Sequence, residues 1–288
     1  MVAVEQIIAN ALMLSALYAL VAIGFTMIFG IADILNVAHG AAIIIGGFAA
    51  LYTVRFLGLG IWIGGLFAVA AAAIFSVLVY KVFVKPIRHN EIIVIITTLV
   101  ILLIVEYFFR YLEGTEANVI PRLVTGTTDI GTLTVQNNRI LLFVFAWTAI
   151  IGLFIFINQT WMGKSIEALS MSSRGSRLVG VDEERATIIT FAIAGALAGL
   201  AGLFFGMAQG VTWDMGLEPL LIAFAIVIIG GMGSIKGSVV GAHLVGVLET
   251  LTVTMIDSRL TGVVALSVML VIILIKPHGL YGRPTEAE

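Results

Sequence analysis

Cysteine is absent from the 288 residues, and histidine, proline and charge are scarce. Without cysteine there are no disulfides, thiol nucleophiles or cysteine-ligated metals, while the redox compartment stays undetermined. The four histidines, His39, His89, His243 and His278, contain no pair at the three- or four-residue spacing of a helical metal clamp, so no metal site is expected. No basic tract points to nucleic acid. Gly231-Met232-Gly233-Ser234-Ile235-Lys236-Gly237 lacks both the spacing of a phosphate loop and the hydroxyl after its lysine, so the chain is not expected to hydrolyse ATP. With no nucleophile paired to a base, no catalytic residue is assigned and an enzyme is not expected.

Charged residues make up 11% of the chain against 60% hydrophobic, where a soluble domain carries about 25% charged residues. Apolar runs near the roughly 20 residues needed to cross about 30 Å of hydrocarbon recur along the sequence. They are continuous rather than alternating, which selects helices over a barrel. The fold class is therefore an all-α polytopic membrane protein. Segments are predicted near 7–30, 37–54, 60–84, 91–110, 139–157, 186–209, 219–230 with its continuation, 239–256 and 260–275. Because 37–54 and 219–230 are short and glycine-rich, the count is eight or nine. The first block is too long for a signal-peptide core and lacks a basic leader, so it reads as a retained span.

Orientation follows Lys and Arg placement. With the amino terminus outside, the inner side receives Lys81, Lys85, Arg88, Lys164, Arg174, Arg177, Arg185, Lys236, Lys276 and Arg283. The outer side receives Arg55, Arg110, Arg122, Arg139 and Arg259. This excess predicts a cytoplasmic carboxyl terminus and a cytosolic 158–185. The outer excursion, 111–138, carries turn material at Gly114-Thr115, Thr125 to Asp129 and Gly131-Thr132. It reads as a packed external loop with room for a short hairpin, either a partner's docking surface or a plain connection.

Two interruptions resemble each other across the halves: Asp33 to Gly40, and Gly230 to Ser238. Paired glycine-interrupted segments point to a weak internal repeat around a central pathway. Asn36 and His39 at the first break either bind a polar substrate or anchor the broken backbone. Glycines at 195 and 199, and at 202 and 206, clear one helix face for close packing inside a bundle. Glu106 and Arg110 lie four apart and are expected to pair. Glu249 has no sequence-local partner, which leaves interhelical bonding and pathway lining both open. In 158–185, a helix is predicted over Ser165 to Arg174, with Ile166 and Leu169 on one face and a stop near Gly175. Asp182 reads as an N-cap followed by Glu183 and Glu184 in a first turn.

Four blocks then carry a family resemblance. Glu167-Ala168-Leu169 through Leu178-Val179-Gly180-Val181, with the following Phe191 and Gly195 to Gly202, resembles the coupling loop and next helix of branched-chain amino-acid ABC permeases. Leu35-Asn36-Val37-Ala38-His39-Gly40 is similar to their Asn-Phe-Ala-His-Gly signature. Gly230-Gly231-Met232-Gly233-Ser234 resembles their Gly-Gly-x-Gly-Ser segment, and Lys276-Pro277-His278-Gly279-Leu280-Tyr281-Gly282 resembles their Arg-Pro-x-Gly-Leu-Phe-Gly ending. The blocks stand in family order from residue 24 to 282.

The resemblance implies an ABC importer permease fold, with 1–288 as a single transmembrane permease domain in a prokaryotic cytoplasmic (inner) membrane. It implies partners: two ABC ATPase subunits that hold the ATP and Mg, a second permease subunit, identical or homologous, and an extracytoplasmic substrate-binding protein. This chain itself would hold no cofactor. Substrate would pass near Asn36, His39, Gly40, Gly231, Gly233 and Glu249, and the ATPases would engage Ser165, Glu167, Ala168, Arg174, Arg177 and Gly180. Many relatives have glutamate after His-Gly where this chain has Ala41, and relatives in the family carry urea or short amides. The cargo is thus a branched-chain or other small amino acid, with urea or a short amide as the alternative. A secondary transporter or a channel working without an ATPase is the alternative from another class.

Overall fold

Lipid offers backbone groups no hydrogen-bond partner, so each apolar block closes its own bonds as a helix. The computed structural model describes residues 4–32, 34–131 and 133–282; Asp33, Thr132 and Arg283, used in the readings above, lie outside the described residues. The chain runs α1 (Val4–Ala32), α2 (Ala38–Arg55) and α3 (Ile61–Leu78), which continues through a π-helical turn, Val79–Val84, into α4 (Lys85–Ile87). After α5 (Glu91–Glu113) come β1 (Thr127–Ile130) and β2 (Leu133–Gln136), then α6 (Asn137–Gln159), α7 (Trp161–Met171) and α8 (Ser173–Leu178). The last part comprises α9 (Glu183–Gln209), α10 (Leu217–Gly230), α11 (Ile235–Met255) and α12 (Val263–Ile275).

The nine predicted blocks coincide in place with α1, α2, α3–α4, α5, α6, α9, α10, α11 and α12. Seven of these described helices are long and apolar enough to cross a membrane, while α10 and α12 are shorter. The 14 residues of α10 rise about 21 Å, short of the roughly 30 Å hydrocarbon core. Residues 210–216 precede it as irregular backbone, which at membrane depth is tolerated where it lines protein or a wet cavity.

The core sits on α1, α2 and α9, whose most apolar windows are 78%, 72% and 67% buried, against 28% in α3–α4 and in α6. Glycine sets how closely they approach. A Cβ on Gly195 or Gly199 would run into the Ala72 and Ala68 carbonyls of α3, and one on Gly202 would overlap the Ile43 carbonyl of α2. The predicted role of these glycines in tight packing is what the structure contains. α2 runs alongside α5 in the same direction: the Val37 amide donates to Thr98 Oγ1 at 3.2 Å, Phe48 stacks on Phe109 at 4.0 Å, and Tyr52 donates to Glu113 at 2.9 Å.

The 111–138 excursion does contain a hairpin, β1 paired antiparallel with β2 and turned at Gly131 (φ +66°). Asn118 forms a reciprocal bridge with Val211, its amide donating at 2.9 Å and its carbonyl accepting at 2.8 Å. Arg55 pairs with Glu113 at this end (2.8 Å), whereas Lys85–Glu184 and Arg88–Glu183 (2.9 Å) join α4 and its following turn to the start of α9 at the opposite end.

Two expectations are corrected. Glu106 and Arg110 form no ion pair: Glu106 is buried with one carboxylate oxygen unpartnered, and the Arg110 guanidinium lies 4.9 Å over the Trp213 ring. An aromatic face captures the cation that helical spacing offered to the acid. The helix expected over Ser165–Arg174 begins at Trp161 and ends at Met171, because Thr160 and Ser172 act as successive N-caps, accepting from the Gly163 and Gly175 amides. Arg174 therefore belongs to α8, and Gly175 lies inside that helix instead of stopping the first. Ile166 and Leu169, expected on one face of the helix, are both buried, and Asp182 caps α9 by accepting from the Arg185 amide at 3.0 Å.

Candidate functional site

Polar residues on otherwise apolar α1 and α11 fall at helical spacing, Ser15, Tyr18 and Thr26 on one and Ser238, Glu249 and Thr252 on the other. This brings them to the seam between the two helices. Gly246 permits the contact, since a Cβ there would strike Ser15. At one end of the seam the Tyr18 hydroxyl donates to Glu249 Oε1 at 2.9 Å, and towards the other Thr26 and Ser238 hydroxyls lie 2.5 Å apart. Between these pairs Ala19, Ala22, Phe25, Ile226, Ala242 and Val245 are at most 3% exposed and form an apolar plug.

A cavity opens on each side of the plug. The one at the end predicted to face outward, called the outer cavity, is about 750 Å³; it is lined by α1, α6, the end of α9, residues 210–219 and α11, and includes Tyr18, Arg139, Asp214, Glu218 and Glu249. The one at the end predicted to face the cytosol, called the inner cavity, is about 520 Å³; it lies between the end of α1, the end of α6, α7 and the α10–α11 break, and includes Thr26, Gly30, Glu167, Gly233, Lys236 and Tyr281. Both volumes suit a small solute. Two cavities with polar lining residues are thus separated by buried apolar side chains.

Of the six residues assigned to a pathway, Glu249 borders the outer cavity and Gly233 the inner. Asn36 and His39 are buried at the α1–α2 turn, where the His39 ring reaches the Val21 carbonyl at 3.2 Å and its edge fills the space left by Gly24. Gly40 packs on the Gly216 carbonyl at the start of α10. Gly231 (φ +102°) ends α10 and faces the carboxyl-terminal segment. There the Leu280 and Tyr281 amides donate to Ile229 and Gly230, 2.8 Å each, supplying carbonyls at the end of α10 with partners. The second interruption packs on the end of α1 rather than on the first: Gly30 lies against Gly233.

The 158–185 segment carries its residues on two faces. Ser165 turns inward and donates to the Trp161 carbonyl, Glu167 borders the inner cavity and Ala168 is half-buried. Arg174, Arg177 and Gly180 are exposed, with Leu178 and Val179 beside them 83% and 78% exposed. Arg177 also reaches Glu183 at 3.6 Å. Sequence reasoning missed Tyr18, Thr26 and Ser238, although hydroxyl-bearing residues at helical spacing in apolar helices were the available signal. It also missed the acids Asp214 and Glu218, whose convergence on Glu249 depends on tertiary packing.

Among the described residues, no group of three or more His, Asp or Glu could hold a metal. The family described as branched-chain amino acid transport system, permease component, matches residues 7–274. The high-affinity branched-chain amino acid transport system permease protein BraD of Pseudomonas aeruginosa is 29% identical over 294 residues, covering 97% of this chain and 96% of its own. The corresponding LivH protein of Salmonella typhimurium is 27% identical over 290 residues, covering 96% and 94%. Among solved structures, PsaBC from Streptococcus pneumoniae in complex with Fab has a similar fold, with a TM-score of 0.52 at 16% identity over 96% of this chain and 94% of the other.

Proposed function

Because this chain belongs to the family of branched-chain amino acid transport permease components, we propose that it carries a branched-chain or other small amino acid inward as the permease subunit of an ABC importer. Motion arises on partner ATPases that bind ATP and Mg and press on α7 and α8. In this reading a second permease subunit and an external substrate-binding protein complete the assembly. It sits in a cytoplasmic (inner) membrane with α7 and α8 in the cytosol. The position of α7 carries the reading: Ile166, Glu167 and Ser170 form one wall of the inner cavity, while Leu178 and Val179 of the adjoining segment stand exposed to a partner.

The steps follow from that position. A push on α8 passes to α7, which backs onto the end of α1 and the α10–α11 break. Moving that wall changes the inner cavity and favours one of two packings of α1 against α11. A partner drives such a switch only by binding the two packings with different affinity. Solute released into the outer cavity then crosses the plug when the seam parts.

Vesicle reconstitution tests this. The permease alone should concentrate no solute, whereas the assembly with ATPases and binding protein should accumulate leucine, isoleucine or valine when ATP is supplied. Accumulation by the lone chain on an ion gradient would overturn the ATP-driven reading. Accumulation of urea or acetamide, but of no amino acid, would overturn the cargo.

A further inference from the structure

The outer cavity is chemically two-sided. Met13, Leu14 and Leu17 of α1, Leu142 of α6 and Phe205 of α9 form an apolar wall. The same cavity is lined by three carboxylates, Asp214, Glu218 and Glu249, whereas Arg139 is the single Lys or Arg among the lining residues and donates to Asn10 at 3.0 Å.

Glu249 differs from the other two acids. It is 1% exposed, while Asp214 and Glu218 are exposed. Its Oε1 is held by the Tyr18 hydroxyl, but Oε2 makes no hydrogen bond within normal geometry, although the Gly262 amide approaches the carboxylate. A buried carboxyl oxygen without a full partner is rare in native structures and calls for a donor. An ionisable group at membrane depth is retained for a function or a partner, and here Glu249 is one of the residues lining a cavity with room for a solute.

We propose that Glu249 is the subsite for the ammonium group of an amphipathic amine, with Tyr18 positioning its carboxylate and the α1–α6–α9 wall taking the aliphatic side chain. An ammonium offers three donors and a full charge, matching both the vacant Oε2 and the flanking acids. A neutral amide gains less from this wall. Arg139, in the same lining, is the cation available to a carboxylate on the same molecule. The assignment rests on the amino-acid reading above and adds which end of the substrate this chain recognises.

The test uses the full assembly in vesicles with labelled leucine and labelled acetamide. Glu249→Gln should lower leucine uptake at least tenfold through a raised KM, and Glu249→Asp should recover part of it. Tyr18→Phe should raise the KM two- to fivefold. Leucine uptake within twofold of the unmodified protein in Glu249→Gln would overturn the subsite while leaving the importer reading intact. Uptake of acetamide but of no amine by the unmodified assembly would overturn both.

If Glu249→Gln does not fold, the cavity can be read directly. Thr254 borders it and is exposed, and because the chain has no cysteine a thiol placed there would be its sole one. In Thr254→Cys, 3-methylbutylamine should slow maleimide labelling at least threefold and 4-methylpentanoate should not. Equal protection by the two, or none by the amine, would overturn the proposal.

Discussion

The amide of Leu280 donates to the carbonyl of Ile229, 2.8 Å away, so the carboxyl-terminal segment completes the end of a helix lying far earlier in the chain. Gly279 makes the approach possible. It has φ +72°, and a Cβ there would come within 2.5 Å of both the Gly231 nitrogen and the Ile228 oxygen.

Gly279→Ala should therefore cost more than Gly262→Ala. Both positions have positive φ, but Gly262 (φ +77°) has open space around it. The backbone conformation alone costs roughly 1–2 kcal/mol for a residue with a Cβ. Melting of the purified protein in detergent should place Gly262→Ala near that cost and Gly279→Ala clearly beyond it. Equal melting temperatures for the two variants would contradict the docking of the segment on α10.

The hydroxyls of Thr26 and Ser238 meet across the seam. In this cysteine-free chain, Thr26→Cys with Ser238→Cys should cross-link under mild oxidation and stop ATP-driven uptake by the assembly, with activity returning on reduction. Gel mobility and uptake, measured together, check this. A fully cross-linked protein that still transports would show that the seam does not part.

Charge reversal at Arg174 and Arg177 should uncouple ATP hydrolysis from uptake while the permease still folds. Arg177 also reaches Glu183, but exposed pairs of this kind contribute only about 0–1 kcal/mol, so melting should move little. Unchanged transport in the double variant would exclude this surface from contact with the ATPases.

Glycine position on the helices should decide tolerance. Gly199→Leu drives a large side chain into the α3 backbone and should abolish folding or accumulation in the membrane. Gly152 of α6 has nothing within 4 Å of an added Cβ, so Gly152→Ala should be neutral or gain up to about 1 kcal/mol of helix propensity. Membrane abundance and melting of the two variants compare them directly.

The sequence made the helices legible because apolar length is an almost sufficient condition for a span. It also exposed the close packing of α9, since glycines four apart have one main use in lipid. The caps at Thr160 and Ser172 were harder to read: several serines and threonines lie nearby, and only the folded backbone selects which ones accept. The partner of Glu249 was hidden for another reason. Tyr18 lies at the other end of the chain, and nothing local to either residue announces the pair. The expected Glu106–Arg110 bridge failed because helical spacing brings two side chains near each other without knowing what else competes for the cation.

The reciprocal bridge between Asn118 and Val211 fastens the external excursion to the strip of chain that borders the outer cavity. Main-chain groups make both of its bonds, which depend on neither side chain beyond the exclusion of proline, while the Val211 side chain is itself buried beside Gly206. The spacing there is consequently set by backbone: exposed side chains of the 111–138 excursion can change without altering how far it stands from the strip beneath it.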